Sequence, residues 1–329
     1  MRKILLMTVL VTLMLVSRTS AQVDAHFTQY YAHPLWLNPA LTGVNDGYYR
    51  VTANYRYQWP SIYSPFTTKG ISGDMAVSDA FAVGLTVLSQ TTGDGGYYYN
   101  NGYLSVSYKA RLTEYKIISG GFQVGMLNRG IDPGKFQYGN QYNPLVGYDP
   151  TIPSNEQFMR NNATAVDGSL GLVYFDAEPD KAMNAFFGVS IYHPTQPRNQ
   201  FLANGNNNKI PMRYAVHGGM RMRMSDRVDL TPHAVLLKQG DASEITGGLS
   251  LNMQLQEGTD FLLGTTYRLN DAVAPNIGIH LNGLTIGFSY DINMSKMKTA
   301  SSGNGGYELS ISFIGRRKIT DAKFVCPRL

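Results

Sequence analysis

The feature that most constrains this chain is polarity that repeats every second residue, in one stretch after another. From Tyr49 the odd positions Tyr49, Val51, Ala53, Tyr55, Tyr57 and Trp59 are apolar or aromatic, and the even positions Arg50, Thr52, Asn54, Arg56 and Gln58 are polar. Successive side chains of a strand point to opposite faces, so each such stretch has one oily and one wet surface. The same pattern returns in Phe81–Val87, Leu104–Arg111, Arg213–Met224, Glu244–Gln254, Leu284–Asn293 and Glu308–Phe313. Weaker stretches near 67–78, 115–127, 165–175, 184–193, 227–238, 260–268 and 273–282 bring the total to about fourteen strands, roughly 12 to 16. Each runs for roughly nine to thirteen residues, the length a tilted strand needs to cross the hydrocarbon of a bilayer.

A soluble sandwich also alternates, so the connections decide between them. Long ones, near 60–66, 92–101, 128–163 and 194–212, take turns with tight ones at Ser78-Asp79, Thr113-Glu114, Ser225-Asp226, Glu257-Gly258 and Asn282-Gly283. The turn at 176–183 is somewhat longer than its class, and 239–242 and 269–272 are short for theirs. Short periplasmic turns and long outer loops are the habit of outer-membrane barrels. Composition agrees: charged residues are 16%, against 34 glycines and 22 tyrosines, fewer charges than soluble domains carry. The expected fold is therefore an all-β, transmembrane, antiparallel barrel in the bacterial outer membrane. An even strand number puts both termini in the periplasm.

The ends of the chain frame this barrel. Arg2 and Lys3, the apolar run Ile4–Val16 and the small residues ending at Ala21 have the layout of a secretory signal peptide, residues 1–21, with Thr19 and Ala21 before the cut. Removing Arg2, Lys3 and Arg18 lowers the formal charge from +5 to +2. Most of what remains basic sits in a tail, residues 316–329, with Arg316, Arg317, Lys318, Lys323 and Arg328 against Asp321. The pI thus points to a local tail and not to nucleic acid. The tail suits an acidic partner or the inner lipid surface, with plain solvation as the bland alternative. Residues 22–47, rich in aromatics and in turn signals such as Asn38-Pro39 and Thr42-Gly43, are expected to plug the lumen or cap its periplasmic mouth, a disordered leader being the alternative. Residues 48–315 form the barrel.

No constellation for catalysis stands out. The six histidines are scattered without zinc-binding spacing, there is no Gly-x-Ser-x-Gly elbow, and Gly93-Asp94-Gly95-Gly96 reads as a loop between strands. No enzyme activity, cofactor or metal is expected, although a barrel hydrolase would meet only in space. The lone Cys326 permits no internal disulfide. Charges on the polar faces are candidates for the lumen: Arg50, Asp74, Arg221, Arg223, Arg268, Asp291 and Glu308, with Arg56. They pair across the interior or form a site for a threaded polypeptide. The loop 128–163 offers Tyr138, Tyr142, Tyr148 and Phe158 among amides and prolines, a mix that suits protein binding or a lid over the pore.

One group of motifs carries a resemblance. Phe27-Thr28-Gln29-Tyr30-Tyr31, His33-Pro34-Leu35 and Leu37-Asn38-Pro39-Ala40-Leu41-Thr42-Gly43 precede Tyr55-Arg56-Tyr57-Gln58-Trp59. Later come Tyr267-Arg268, Tyr290-Asp291, Gly306-Tyr307-Glu308 and Cys326-Pro327-Arg328. This resembles the PorP/SprF family of outer-membrane proteins of the type IX secretion system and of gliding motility, from Phe27 to the end. Leu329 stands where the family usually ends in an aromatic, and Tyr307 where it often has His. The resemblance singles out Gln29, Tyr30, Pro34, Asn38, Pro39, Ala40, Gly43, Arg56, Gln58 and Trp59 as family positions. It implies a barrel that binds, delivers or anchors a large secreted adhesin with a C-terminal sorting domain and touches the translocon and its periplasmic ring lipoproteins. The rival reading from the residues is an outer-membrane diffusion channel or apolar-solute transporter.

Overall fold

The computed structural model describes residues 24–62, 64–93, 96–155, 161–179, 181–198 and 209–315. The signal peptide, the basic tail with Cys326, and Phe158 lie outside the described residues. In chain order the strands are β1 (Tyr49–Gln58), β2 (Phe66–Ala76), β3 (Phe81–Thr92), β4 (Tyr97–Arg111), β5 (Lys116–Ile131), β6 (Tyr142–Asn143), β7 (Gly147–Tyr148), β8 (Asn162–Asp176), β9 (Met183–Tyr192), β10 (Arg213–Ser225), β11 (Val228–Gln239), β12 (Ala242–Gln256), β13 (Thr259–Arg268), β14 (Ala272–Leu281), β15 (Leu284–Asn293) and β16 (Asn304–Gly315). All but β6 and β7 join one closed antiparallel ring of fourteen strands, each next to its sequence neighbour, with β5 beside β8. β6 and β7 pair only with each other, in a loop hairpin.

Closure comes from β1 against β16, in register from Tyr49↔Gly315 to Gln58↔Gly306. It leaves no row of unpaired backbone groups facing lipid. The alternation then sorts side chains inside out. In β1 the polar Arg50, Thr52, Asn54, Arg56 and Gln58 are the buried residues, and Val51 is exposed. Around the ring Ile71, Leu104, Phe122, Leu170 and Ile277 are more than 45% exposed. A water-soluble protein would hide such a belt; here the bilayer supplies its apolar surroundings. Among the described residues no helix is long and apolar enough to cross a membrane.

Two expectations about the connections change. The loop expected at 92–101 shrinks to 93–96, because Tyr97–Asn101 extends β4 and pairs with β5 up to Tyr97↔Ile131. The glycines and asparagines there read as a loop, but Tyr99 and Asn101 both face inward and are buried. An unanticipated connection, 294–303, carries a short helix, Met297–Ser301. The long β4, β5 and β8 raise one side of the wall on the long-loop end. Prolines interrupt two ladders. Pro232 pairs with Leu249 of β12 and Pro275 with Thr265 of β13, while neither is paired toward β10 or β15. A proline has no N–H to give, and both residues turn that missing donor to one neighbour only.

The belt makes a direct prediction. Ile277, mid-strand in β14 and 53% exposed, replaced by Arg should lower folding stability in lipid vesicles by roughly 2–4 kcal/mol. A urea titration of refolding into vesicles reads this, and an unchanged midpoint would contradict a lipid-facing belt.

Candidate functional site

The segment before β1 has little regular structure, and its sequence explains the shape it takes. Pro34 opens a single helical turn, Pro34–Leu37, where a missing N–H does no harm. The Asn38 side chain then accepts from the Ala40 amide at 2.9 Å, starting a second short turn, Pro39–Leu41. The other end of that amide donates to the carbonyls of Leu172 (3.3 Å) and Val189 (3.1 Å) and meets His217 Nε2 at 3.1 Å. The segment is thus fastened to the inward faces of β8, β9 and β10. Gly121 and Gly171 form the seat: a Cβ on Gly121 would strike the Pro39–Ala40 backbone, and one on Gly171 the Asn38 side-chain oxygen.

Irregular backbone at membrane depth needs hydrogen-bond partners, and the lumen wall provides them. Gln123 donates to the Leu35 carbonyl (3.0 Å), Tyr192 to Trp36 (2.9 Å), Ser190 to Leu37 (3.0 Å), Ser119 to Ala40 (2.7 Å) and Ser107 to Thr42 (2.6 Å). The serines and glutamines that alternation placed on wet faces therefore act as donors to this segment. Its own apolar residues Phe27, Leu35, Trp36, Leu37 and Ala40 are buried with them.

Three ionic clusters pin the segment. At the closing seam Arg56 sits between Asp291 (2.8 Å) and Glu308 (3.4 Å), and Arg268 reaches the same Asp291 at 2.7 Å. The Thr28 and Gln29 amides donate to Glu308 at 2.7 and 3.0 Å, and the Thr28 hydroxyl donates to Asp291 at 2.8 Å. Arg268 also pairs with Asp271. Near the short-turn end Arg50 grips Asp74 with two bonds, 2.9 and 3.0 Å, and donates to the carbonyls of Leu41 and Val44. Asp74 in turn accepts from the Gly43 amide at 2.7 Å. Gly43 has φ +69°, and a Cβ there would meet Ala82, so only glycine makes this turn without strain.

The third cluster lies toward the long loops. Asp24 meets Arg129 (3.1 Å), His193 (2.7 Å) and Arg213 (3.5 Å), and the other His193 nitrogen meets Asp167 at 2.7 Å. Arg213 also lies over the rings of Tyr192 and Trp36, at 4.0 and 4.8 Å. Burial opposes the charge on His193, yet Asp24 and Asp167 outweigh it and hold the imidazole up at about 9. Burial likewise pushes the Asp24 carboxyl up, but His193, Arg213 and Arg129 outweigh it and keep the group well below the usual carboxylate range.

The family positions thus converge. Gln29, Arg56, Arg268, Asp291 and Glu308 form one cluster, and Asn38, Pro39, Ala40 and Gly43 form the seated turns. Tyr30 touches His233 at 2.5 Å. Gln58 is buried in the bore, and Trp59 leaves β1 at positive φ and packs edge-on against Phe66. Arg50 and Asp74 are buried inside the ring. Arg221 pairs with Asp229 at 3.0 Å. Arg223 corrects the expectation: it is exposed at the short-turn rim, where β10 has run past the bore, and donates to the Pro179 carbonyl. Tyr138, Tyr142 and Tyr148 belong to the loop carrying the β6–β7 hairpin. The sequence reading missed that hairpin's tip, Leu145 and Val146, 95% and 82% exposed. It also missed the Asp24–Arg129–Asp167–His193 cluster, whose members lie in four separate stretches and share no local pattern. Among the described residues no group of His, Cys, Asp and Glu has the makings of a metal site.

Two outcomes test the clusters. Arg56→Met leaves two acids buried against fewer cations and should destabilise the barrel by about 3–5 kcal/mol, read as a drop in the urea midpoint. His193 has a folded pKa above its ordinary 6.5, so its stabilisation is complete below that value and is lost as pH rises through about 9. The urea midpoint should therefore fall between about pH 6.5 and 9, and His193→Gln should flatten that dependence.

Comparison with known proteins places this arrangement. Among solved structures the chain is similar to the toluene transporter TbuX of Ralstonia pickettii, at 12% identity and TM-score 0.53, over 92% of this chain and 97% of that one. It is also similar to the CymD monoaromatic hydrocarbon channel, at 10% identity and TM-score 0.51, over 90% and 96%. At such identities the likeness is one of fold, that of an outer-membrane barrel. No curated protein sequence matches. The family model for the type IX secretion system membrane protein PorP/SprF matches residues 19–313, a span that contains the seated turns, the closing seam and all three clusters. The chain belongs to the PorP/SprF family.

Proposed function

We propose that this protein is exported by its signal peptide and serves the type IX secretion system as a partner barrel. It binds a large secreted adhesin-type cargo, delivers or anchors it at the cell surface, and contacts the translocon and periplasmic ring lipoproteins. The observation that carries this reading is the pinned N-terminal segment. Its backbone is bonded to inward side chains on β1, β2, β4, β5, β9, β10 and β16, and three ion clusters hold it. A bore crossed in this way acts as a plugged scaffold, and the surfaces left for partners are its two mouths.

At the outer mouth the β6–β7 hairpin supports a contact role. Gln141 and Asn140 donate to the carbonyls of Ile152 and Pro153, which brace the loop from within. Its tip presents Leu145 and Val146 beside Tyr142 and Tyr148. Exposed apolar groups on a braced loop favour binding to a protein. The basic sequence of residues 316–329, which follows β16, suits acidic partners. The alternative of a diffusion channel or apolar-solute transporter needs passage beyond the segment, which conductance in planar bilayers would reveal.

Affinity purification of the tagged barrel from native membranes is the test. A large secreted protein and ring lipoproteins should accompany it, and the double variant Leu145→Asp, Val146→Asp should lose at least tenfold of the secreted protein. Recovery of the barrel with neither class of partner would sink the proposal.

A further inference from the structure

The segment does not fill the bore evenly. Beside its Tyr30–Pro34 stretch lie two adjoining cavities of about 150 and 120 Å³, the larger reaching wall residues of β1, β8 to β10 and β12 to β16 and the smaller those of β11 to β16, both lined by Tyr31, Ala32, Asn252, Leu262, Thr285 and Ser310. The larger is mostly apolar, although Asp46, Arg50 and Asp260 also line it. Leu41, Val44, Phe175, Phe186, Leu262 and Ile314 give it mostly carbon surface. Polar groups stand along one side in prearranged pairs: His280 meets Thr285 at 2.8 Å, and Asn252 reaches Asp260 at 3.5 Å. Ser250, Asn276 and Ser310 add hydroxyl and amide groups beside the smaller cavity.

The larger cavity lies toward one end of the bore. Arg50, Asp260, His280, Thr285 and Ile314 lie near strand ends on the short-turn side, which is the periplasmic side in barrels of this kind. Toward the long loops, the Tyr30–His233 contact and the His26–Glu244 pair at 3.8 Å stand before spaces of only about 20 and 10 Å³. Among the described residues the larger cavity lies toward the periplasmic side, and the spaces toward the long loops are smaller.

We propose that this pocket is a binding site for a small, uncharged ring compound carrying one hydroxyl or amide group. An apolar cavity of about 150 Å³ accommodates a six-membered ring. Apolar walls with a few convergent polar groups are the usual makeup of small-molecule sites. The aliphatic and aromatic side chains take the ring, and the Asn252, Thr285 and Ser310 side orients its polar group. The site is additional to the secretion role and independent of it.

Isothermal titration of the full-length protein in lipid nanodiscs tests the proposal, with phenol, p-cresol, cyclohexanol and benzamide as probes and empty nanodiscs as the blank. At least one probe should bind saturably, one per barrel, with a dissociation constant on the order of 0.1–1 mM. Filling the cavity with Leu262→Trp, or separately with Ala32→Phe, should weaken that binding tenfold or more. Each variant is first checked for the heat-modifiable gel mobility of a folded barrel. Heat that matches empty nanodiscs for every probe, meaning partition into lipid only, overturns the proposal. So does unchanged affinity in a folded variant. The measurement uses purified protein alone, so its result is separate from whether a secreted partner is recovered.

Discussion

The ion pair on which the rest of the structure depends joins Arg56 to Glu308. These residues stand directly opposite each other in the register of the first and last strands, so the pair spans the seam that closes the ring. Asp291 of the neighbouring β15 and Arg268 of β13 extend it. Taking these charges out of water is expensive, and mutual attraction offsets the cost only when every remaining donor and acceptor is also satisfied. Thr28 and Gln29 supply that satisfaction by giving their amides to Glu308. Closing the barrel and seating the segment therefore draw on the same carboxylate. Glu308 arrives on the last strand, so the segment reaches its final bonds only when β16 has met β1 across almost the whole chain.

The rest of the bore follows the same logic. A barrel of fourteen strands encloses more space than its own side chains fill, and a wall of hydroxyls and amides left dry would be unsatisfied. The segment meets both needs. Its carbonyls take the wall's donors, its aromatics occupy the volume, and its two short turns bend the chain without long runs of unpaired backbone. Where the match is incomplete, the two cavities remain. The clusters at the two ends of the segment differ in kind. The Arg50–Asp74 cluster near the short turns joins one arginine to one carboxyl group, whereas the Asp24 cluster near the long loops includes His193, whose charge depends on pH.

How much of this was legible in the residues depends on range. Two-residue alternation is local, since each side chain's face is set by its own backbone, and it gave the strands, their inward and outward sets, and hence the membrane. Turn residues are local too, and they placed the tight connections well. Tyr97–Asn101 failed for the same reason, because Gly-rich and Asn-rich neighbours looked like a loop while pairing with β5 extended the strand. Arg223 sat on the correct face of its strand, but strand height, which alternation does not encode, carried it past the bore to the rim.

The sequence by itself determined the fold class, the polar lumen and the motifs that mark the family, because periodicity and turn chemistry act within a few residues. It named Gln29, Arg56, Arg268, Asp291 and Glu308 without any indication that they meet. Only the closed tertiary structure decided that, along with the Asp24–His193 cluster, the seat at Gly121 and Gly171, and the cavities. Each of these joins residues far apart in the chain, and their distances are set by ring closure and strand stagger, which no local stretch of sequence specifies.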